Sequence, residues 1–137
     1  MKSRIINNDP AHRKLVLAAD DAPEILFLLG AALKGAGYNF MGTASGAELL
    51  ALSLRVVPRL ILLDIEMPGM NGFETCRRLR ANTDLLRVPI AFLTGRKTFE
   101  DVTEGLGAGG NDFILKPFVP SQVLERVQHW TGRQIGG

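Results

Sequence analysis

Leu60-Ile61-Leu62-Leu63-Asp64, followed by Ile65-Glu66-Met67-Pro68-Gly69-Met70-Asn71-Gly72, is the stretch on which the fold turns. Four consecutive apolar residues leave no polar face, so a strand made from them must be covered on both sides, as in an internal strand of a parallel sheet. The run stops at a carboxylate, Asp64, and the Pro/Gly-rich loop Met67 to Asn71 leads into a helix expected from Gly72 to Arg80.

The same alternation of short apolar runs and amphipathic stretches extends in both directions. Upstream, a strand is expected from about Lys14 to Ala19 and a helix from Pro23 to Gly35 or Gly37. A weaker strand, Tyr38 to Thr43, has polar and Gly positions and reads as a sheet edge; Ser45 caps a helix over Ala47 to Leu54. Downstream come a strand at Pro89 to Leu93, a helix at Phe99 to Leu106, a strand at Phe113 to Leu115 and a helix at Ser121 to Trp130. Residues 14–130 are read as one α/β domain, with 1–13 and 131–137 as tails. Five βα units with right-handed crossovers make a doubly wound parallel sheet, whose ligands gather beyond the carboxyl ends of the strands.

At those ends the sequence puts Asp20 and Asp21, Asp64, Thr94 and Lys116. Three carboxylates converging on one place repel one another unless a cation joins them, and hard oxygen ligands in a partly open site suit Mg²⁺. A carboxylate can also attack phosphorus and form an aspartyl-phosphate, a reaction catalysed mainly by positioning and charge neutralisation. Asp64, ending the most buried strand, is the best nucleophile; Thr94 and Lys116 could each meet a phosphoryl oxygen.

Composition removes other classes. The chain has 137 residues, 46% apolar, with a formal charge of +2. Its apolar runs are far shorter than the ~20 residues that span a bilayer, so no membrane anchor is expected. Arg77, Arg78 and Arg80 resemble a solvated helix face, without interleaved aromatics to stack bases, so no nucleic-acid contact is expected. A lone Cys76 suits a reducing compartment, hence the cytoplasm, and packing rather than redox work. His12 and His129 fall in a basic tail and a last helical turn, where neither suggests a phosphohistidine or a metal ligand. The Gly-rich segment Gly105 to Gly110 follows a helix and enters a strand, the reverse of a phosphate loop, and is read as a connection.

Four pieces taken together resemble the receiver domains of two-component response regulators. They are Ala19-Asp20-Asp21, Leu62 to Gly72, Phe92-Leu93-Thr94-Gly95 and Asp112-Phe113-Ile114-Leu115-Lys116-Pro117-Phe118, with 30 positions from Asp64 to Thr94 and 22 from Thr94 to Lys116. The resemblance covers about Lys14 to Trp130 and implies a flavodoxin-like (βα)5 fold with strand order 2-1-3-4-5. It implies that Asp64 is the phosphoacceptor, with Asp20, Asp21, Asp64 and the backbone carbonyl of Glu66 around Mg²⁺. Thr94 and Phe113 become the switch pair, Lys116 the phosphoryl partner, and the bond before Pro117 cis.

The implied function is a phosphoprotein of two-component phosphorelay signal transduction that is not an enzyme beyond its own phosphorylation and slow dephosphorylation. Its donor would be a sensor histidine kinase or a histidine phosphotransfer protein. Its α4-β5-α5 face would then control a downstream protein or output domain, whether the chain is a stand-alone receiver or a piece of a larger regulator. Gly95 and Gly110 stand where the family often has Ala, and a basic chain is unusual in it. The rival is a haloacid-dehalogenase-type phosphatase, which also forms an aspartyl-phosphate, with Glu66 as general acid two positions after the nucleophile. A degenerate receiver acting only as a binding module is disfavoured, because acceptor, acidic pair, hydroxyl and lysine are all present.

Overall fold

The computed structural model describes residues 14–136, with side chains to Gly132. The elements run β1 (Leu15–Ala19), α1 (Pro23–Gly35), β2 (Asn39–Thr43), α2 (Gly46–Ser53), β3 (Leu60–Asp64), α3 (Gly72–Arg80), β4 (Ile90–Thr94), α4 (Phe99–Ala108), β5 (Asp112–Leu115) and α5 (Pro120–Gly136). The five strands pair in parallel in the order β2-β1-β3-β4-β5, as expected. β1, β3 and β4 are buried at every position, whereas edge strand β2 has only exposed and half-buried residues.

Alternate residues of the central strands supply two cores. Leu17, Ile61, Leu63, Ile90 and Phe92 face Leu49, Phe73, Cys76, Leu79 and Ala108 of α2, α3 and α4. Val16, Ala18, Leu60, Leu62, Ala91 and Leu93 face Leu29 and Leu33 of α1 and Val123 and Val127 of α5. Each Val, Leu, Ile or Phe among them contributes about 1.5–3 kcal/mol if fully buried.

Local chemistry explains the boundaries. Ser45 accepts from Glu48 N, while Glu48 accepts from Ala44 N, so the first turn of α2 is closed from both sides. Asn71 caps α3 through Glu74 N, and Thr98 caps α4 through Asp101 N. Gly109 ends α4 at φ 106°, a conformation that costs a side-chain-bearing residue energy.

A 3-10 turn over Thr83–Leu85, capped by Asn82, lies between α3 and β4, a stretch to which the sequence reading assigns no element. One expectation needs correction. Helix α5, expected to stop at Trp130, continues to Gly136, so most of the expected C-terminal tail is helical. The reason lies in buried Thr131, whose hydroxyl meets Val127 O at 2.8 Å and Tyr38 Oη at 2.9 Å, joining the extra turns to the start of β2. The expected N-terminal tail and His12 lie outside the described residues. No helix among those residues is long and apolar enough to cross a membrane.

Candidate functional site

The carboxyl ends of β1, β3, β4 and β5 meet at one edge of the sheet. Asp20 follows β1 directly and is fully buried; its Oδ1 accepts from Ala22 N at 3.0 Å, which closes the turn into α1 where no side chain caps that helix. Asp64 ends β3. Gly72 N meets Ile65 O at 2.8 Å, and a Cβ on Gly72 would lie 2.3 Å from Asp64 O, so α3 can start this close to β3 only with glycine there.

Asp20, Asp21 and Asp64 each present a carboxylate oxygen, and the three lie within 4.8 Å of one another, with Asp20 and Asp64 buried and Asp21 exposed. Lys116, just past β5, brings its Nζ to 2.8 Å from Asp20 Oδ2 and 3.3 Å from Asp64 Oδ1. The Lys116 contact with Asp20 Oδ2 is an ion pair off the direction of a hydrogen bond, so that buried oxygen lacks a directed donor. Backbone placement helps: Lys116 N donates to Thr94 O at 2.7 Å, and the Lys116–Pro117 bond is cis, as the resemblance implied.

Burial first, then the charge of Asp20, carries the Asp64 carboxyl up to about 6, with Lys116 acting in the opposite sense. Burial on its own would lower the Lys116 ammonium; contacts with Asp20 and Asp64 outweigh it and hold the group above the ordinary lysine value. Charge is therefore crowded on the acidic side. A divalent cation fits this edge, since three carboxylates converge and one buried oxygen is short of a donor.

Thr94 is buried at the end of β4, but its hydroxyl is engaged locally: it donates to Arg96 O at 2.7 Å and accepts from Arg96 N at 3.2 Å. Phe113 is half-buried and its ring lies 5.3 Å from that of Phe92, on the core side. The Glu66 side chain is 76% exposed and stands 4.0 Å from Arg96, away from the acidic cluster. A cleft of about 290 Å³ opens here, lined by Ile65, Glu66, Thr94, Arg96 and Asp101 among others.

Two features were missed in the sequence. Arg96 lies closer to Asp101, at 3.4 Å, than to Glu66, and Asp101 also accepts from the Thr98 hydroxyl at 2.8 Å. The Thr98-x-x-Asp101 spacing is a capping signature and could have revealed half of it. Asp112 receives Arg126 Nε and Trp130 Nε1, each at 2.8 Å, and holds β5 to α5; residues this far apart in the chain carry no local signal. Cys76 is buried with its Sγ 3.3 Å from Ala108 O, and burial raises the thiol to about 11, so it is unreactive packing.

Similarity to known proteins agrees with this architecture. The sequence profile of the response regulator receiver domain matches residues 16–128. The DNA-binding response regulator MtrA of Mycolicibacterium smegmatis is 37% identical over 116 residues, covering 85% of this chain and 50% of that protein. The chain thus spans about half the length of the curated relatives it matches. Among solved structures, the chemotaxis protein CheY4 of Vibrio cholerae superposes with a TM-score of 0.83 at 33% identity, over 85% of this chain and 97% of that one. The receiver domain of the sensor histidine kinase PA1611 of Pseudomonas aeruginosa, solved with a magnesium ion in its active-site cleft, gives a TM-score of 0.80 at 30% identity, over 87% and 98%. A five-stranded 2-1-3-4-5 sheet with an aspartate cluster and a lysine at its carboxyl edge, matched by that profile over most of its length, makes this chain a member of the response regulator receiver domain family.

Proposed function

We propose that the chain accepts a phosphoryl group on Asp64 from a phosphohistidine, carried by a sensor histidine kinase or a histidine phosphotransfer protein. The observation that carries this reading is Lys116 Nζ bridging Asp20 and Asp64 beside a third carboxylate, at the end of a strand buried on both faces. An Asp64 oxygen attacks phosphorus as the P–N bond breaks, and the donor imidazole leaves carrying a proton. Asp20, Asp21, Asp64 and the Glu66 carbonyl would hold Mg²⁺, which neutralises charge on the phosphoryl oxygens when bound. Lys116 supplies a fixed positive charge on the other side, and Thr94 can turn its hydroxyl from Arg96 O to a phosphoryl oxygen.

Phosphorylation then biases the face formed by α4, β5 and α5, through Thr94 and Phe113, and that face controls a partner or output domain. Exposed Phe99, Leu106, Leu115 and Val119 leave apolar surface there. A DNA-binding output follows for this chain only if it is continued as the MtrA relatives are. A single buried thiol suits a reducing cytoplasm. Catalysis of other substrates is not favoured, because Glu66, the acid a haloacid-dehalogenase-type phosphatase would need, points to Arg96. Intact mass after incubation with phosphoramidate and Mg²⁺ tests the reading: one phosphoryl group on wild type and none on Asp64→Asn is expected, and equal labelling of both overturns it.

A further inference from the structure

Three rings stack through the interior beneath α4. Phe73 meets Phe92 edge-on at 5.3 Å, and Phe92 meets Phe113 tilted by 35° at 5.3 Å. The inward seat of the Phe113 ring exists because position 105 has no side chain. A Cβ on Gly105 would lie 2.5 Å from Phe113 Cζ and 3.0 Å from Phe92 Cε2, and one on Gly110 would lie 2.2 Å from Phe92 Cε2. Gly105 is buried inside α4, where glycine is otherwise unfavourable, so its presence against two rings has a steric explanation. Gly107, two residues on, faces open space.

The backbone around the ring is fixed. Phe113 N donates to Asp112 Oδ1 at 2.8 Å, Asp112 is held by Arg126 and Trp130, and Gly110 N donates to Gly105 O at 2.9 Å. With neither the strand nor the end of α4 free to give way, the side chain is the part that must turn. We infer that Gly105 is the positioning residue that sets which way the Phe113 ring lies, so that a methyl group at 105 drives the ring outward, beside exposed Leu115, with no phosphoryl group present. The inference rests on the proposed role of Phe113 as the ring that reports phosphorylation, but the position of the ring is measurable without that role.

Ring-to-ring NOEs between Phe92 and Phe113 in the whole, unphosphorylated chain test it. Wild type and Gly107→Ala retain these cross-peaks, whereas Gly105→Ala loses them. A folded Gly105→Ala protein with the cross-peaks intact overturns the inference. If Gly105→Ala does not fold, Gly105→Ala/Phe113→Ala decides: a folded double variant identifies the ring as the obstacle, and an unfolded one overturns the idea. Labelling of Asp64, measured on the same samples, reports separately on the proposed function.

Discussion

Asp64 lies where burial, a neighbouring carboxylate and an ammonium act on one acid group. With the first two prevailing, its carboxyl sits near 6 against an ordinary 3.8. A carboxyl raised in the folded state stabilises the fold below its unfolded value, and that contribution is lost as pH rises through the folded one. Ionised Asp64 therefore destabilises the metal-free chain at neutral pH. Asp64→Asn removes the charge and leaves Lys116 its contact with Asp20, so without metal it should be more stable than wild type by about 1–3 kcal/mol near pH 7.5. The gap should close as pH falls towards 3.8, as two-state denaturant melts in chelator will show. A gap independent of pH would place its cause elsewhere. Arg96 offers a second test. Held by Asp101 at 3.4 Å with Glu66 at 4.0 Å, it stands at the cleft through which water would approach the phosphoryl group. Such an exposed pair is worth only about 0–1 kcal/mol to stability, yet ordered side chains can obstruct in-line attack. Arg96→Ala should speed loss of the phosphoryl group by no more than roughly tenfold, equivalent to about 1.4 kcal/mol of barrier. Equal decay in wild type and variant after donor removal would remove Arg96 from this role.

Among the elements, β3 was the most legible because its chemistry is local: an unbroken apolar run, a terminal acid and a Pro/Gly exit can be read in one window. The helix starts at Pro23 and Gly72 were legible for the same reason, since the first-turn proline and the Pro/Gly-rich loop that announce them lie next to the helices themselves. The end of α5 was not, because the Tyr38–Thr131 contact that extends it joins residues far apart in sequence. The aspartate cluster was legible through topology, because parallel strands bring their carboxyl ends to one edge, but the Thr94 hydroxyl's attachment to Arg96 depends on a loop conformation that spacing does not encode. Helix α5 is tied to β5 by Asp112 as well as by the packing of Val123 and Val127 in one core with Ile114. Asp112→Ala leaves Arg126 and Trp130 without their carboxylate, and loss of such charge-assisted bonds should cost about 1–3 kcal/mol, seen as a lower chemical-denaturation midpoint. An unchanged midpoint would show that water replaces the carboxylate at no loss.

Across the whole molecule, the acceptor edge and the α4-β5-α5 face are joined by short links from the strand ends. Lys116 reaches Asp20 and Asp64 by its side chain and Thr94 by its backbone, while Thr94 reaches Arg96, and Arg96 reaches Asp101 in the first turn of α4. A phosphoryl group on Asp64 would add about −1.5 to −2 of charge at neutral pH and would give Lys116 and Thr94 an oxygen partner that the unmodified protein lacks. Only a contact that differs between two states can shift their populations, and on the proposed reading the Lys116 contact would differ most, its partner changing from carboxylate to phosphoryl oxygen. Lys116→Ala should therefore still accept some label on Asp64 while its distant response is blunted. The measurement is amide chemical shift around Phe113 and along α4, with and without the label, in wild type and variant at matched extent of labelling. Shift changes in Lys116→Ala as large as those in wild type would mean that the phosphoryl group reaches the face without the lysine, and the coupling would then have to run through Thr94 and Arg96 alone.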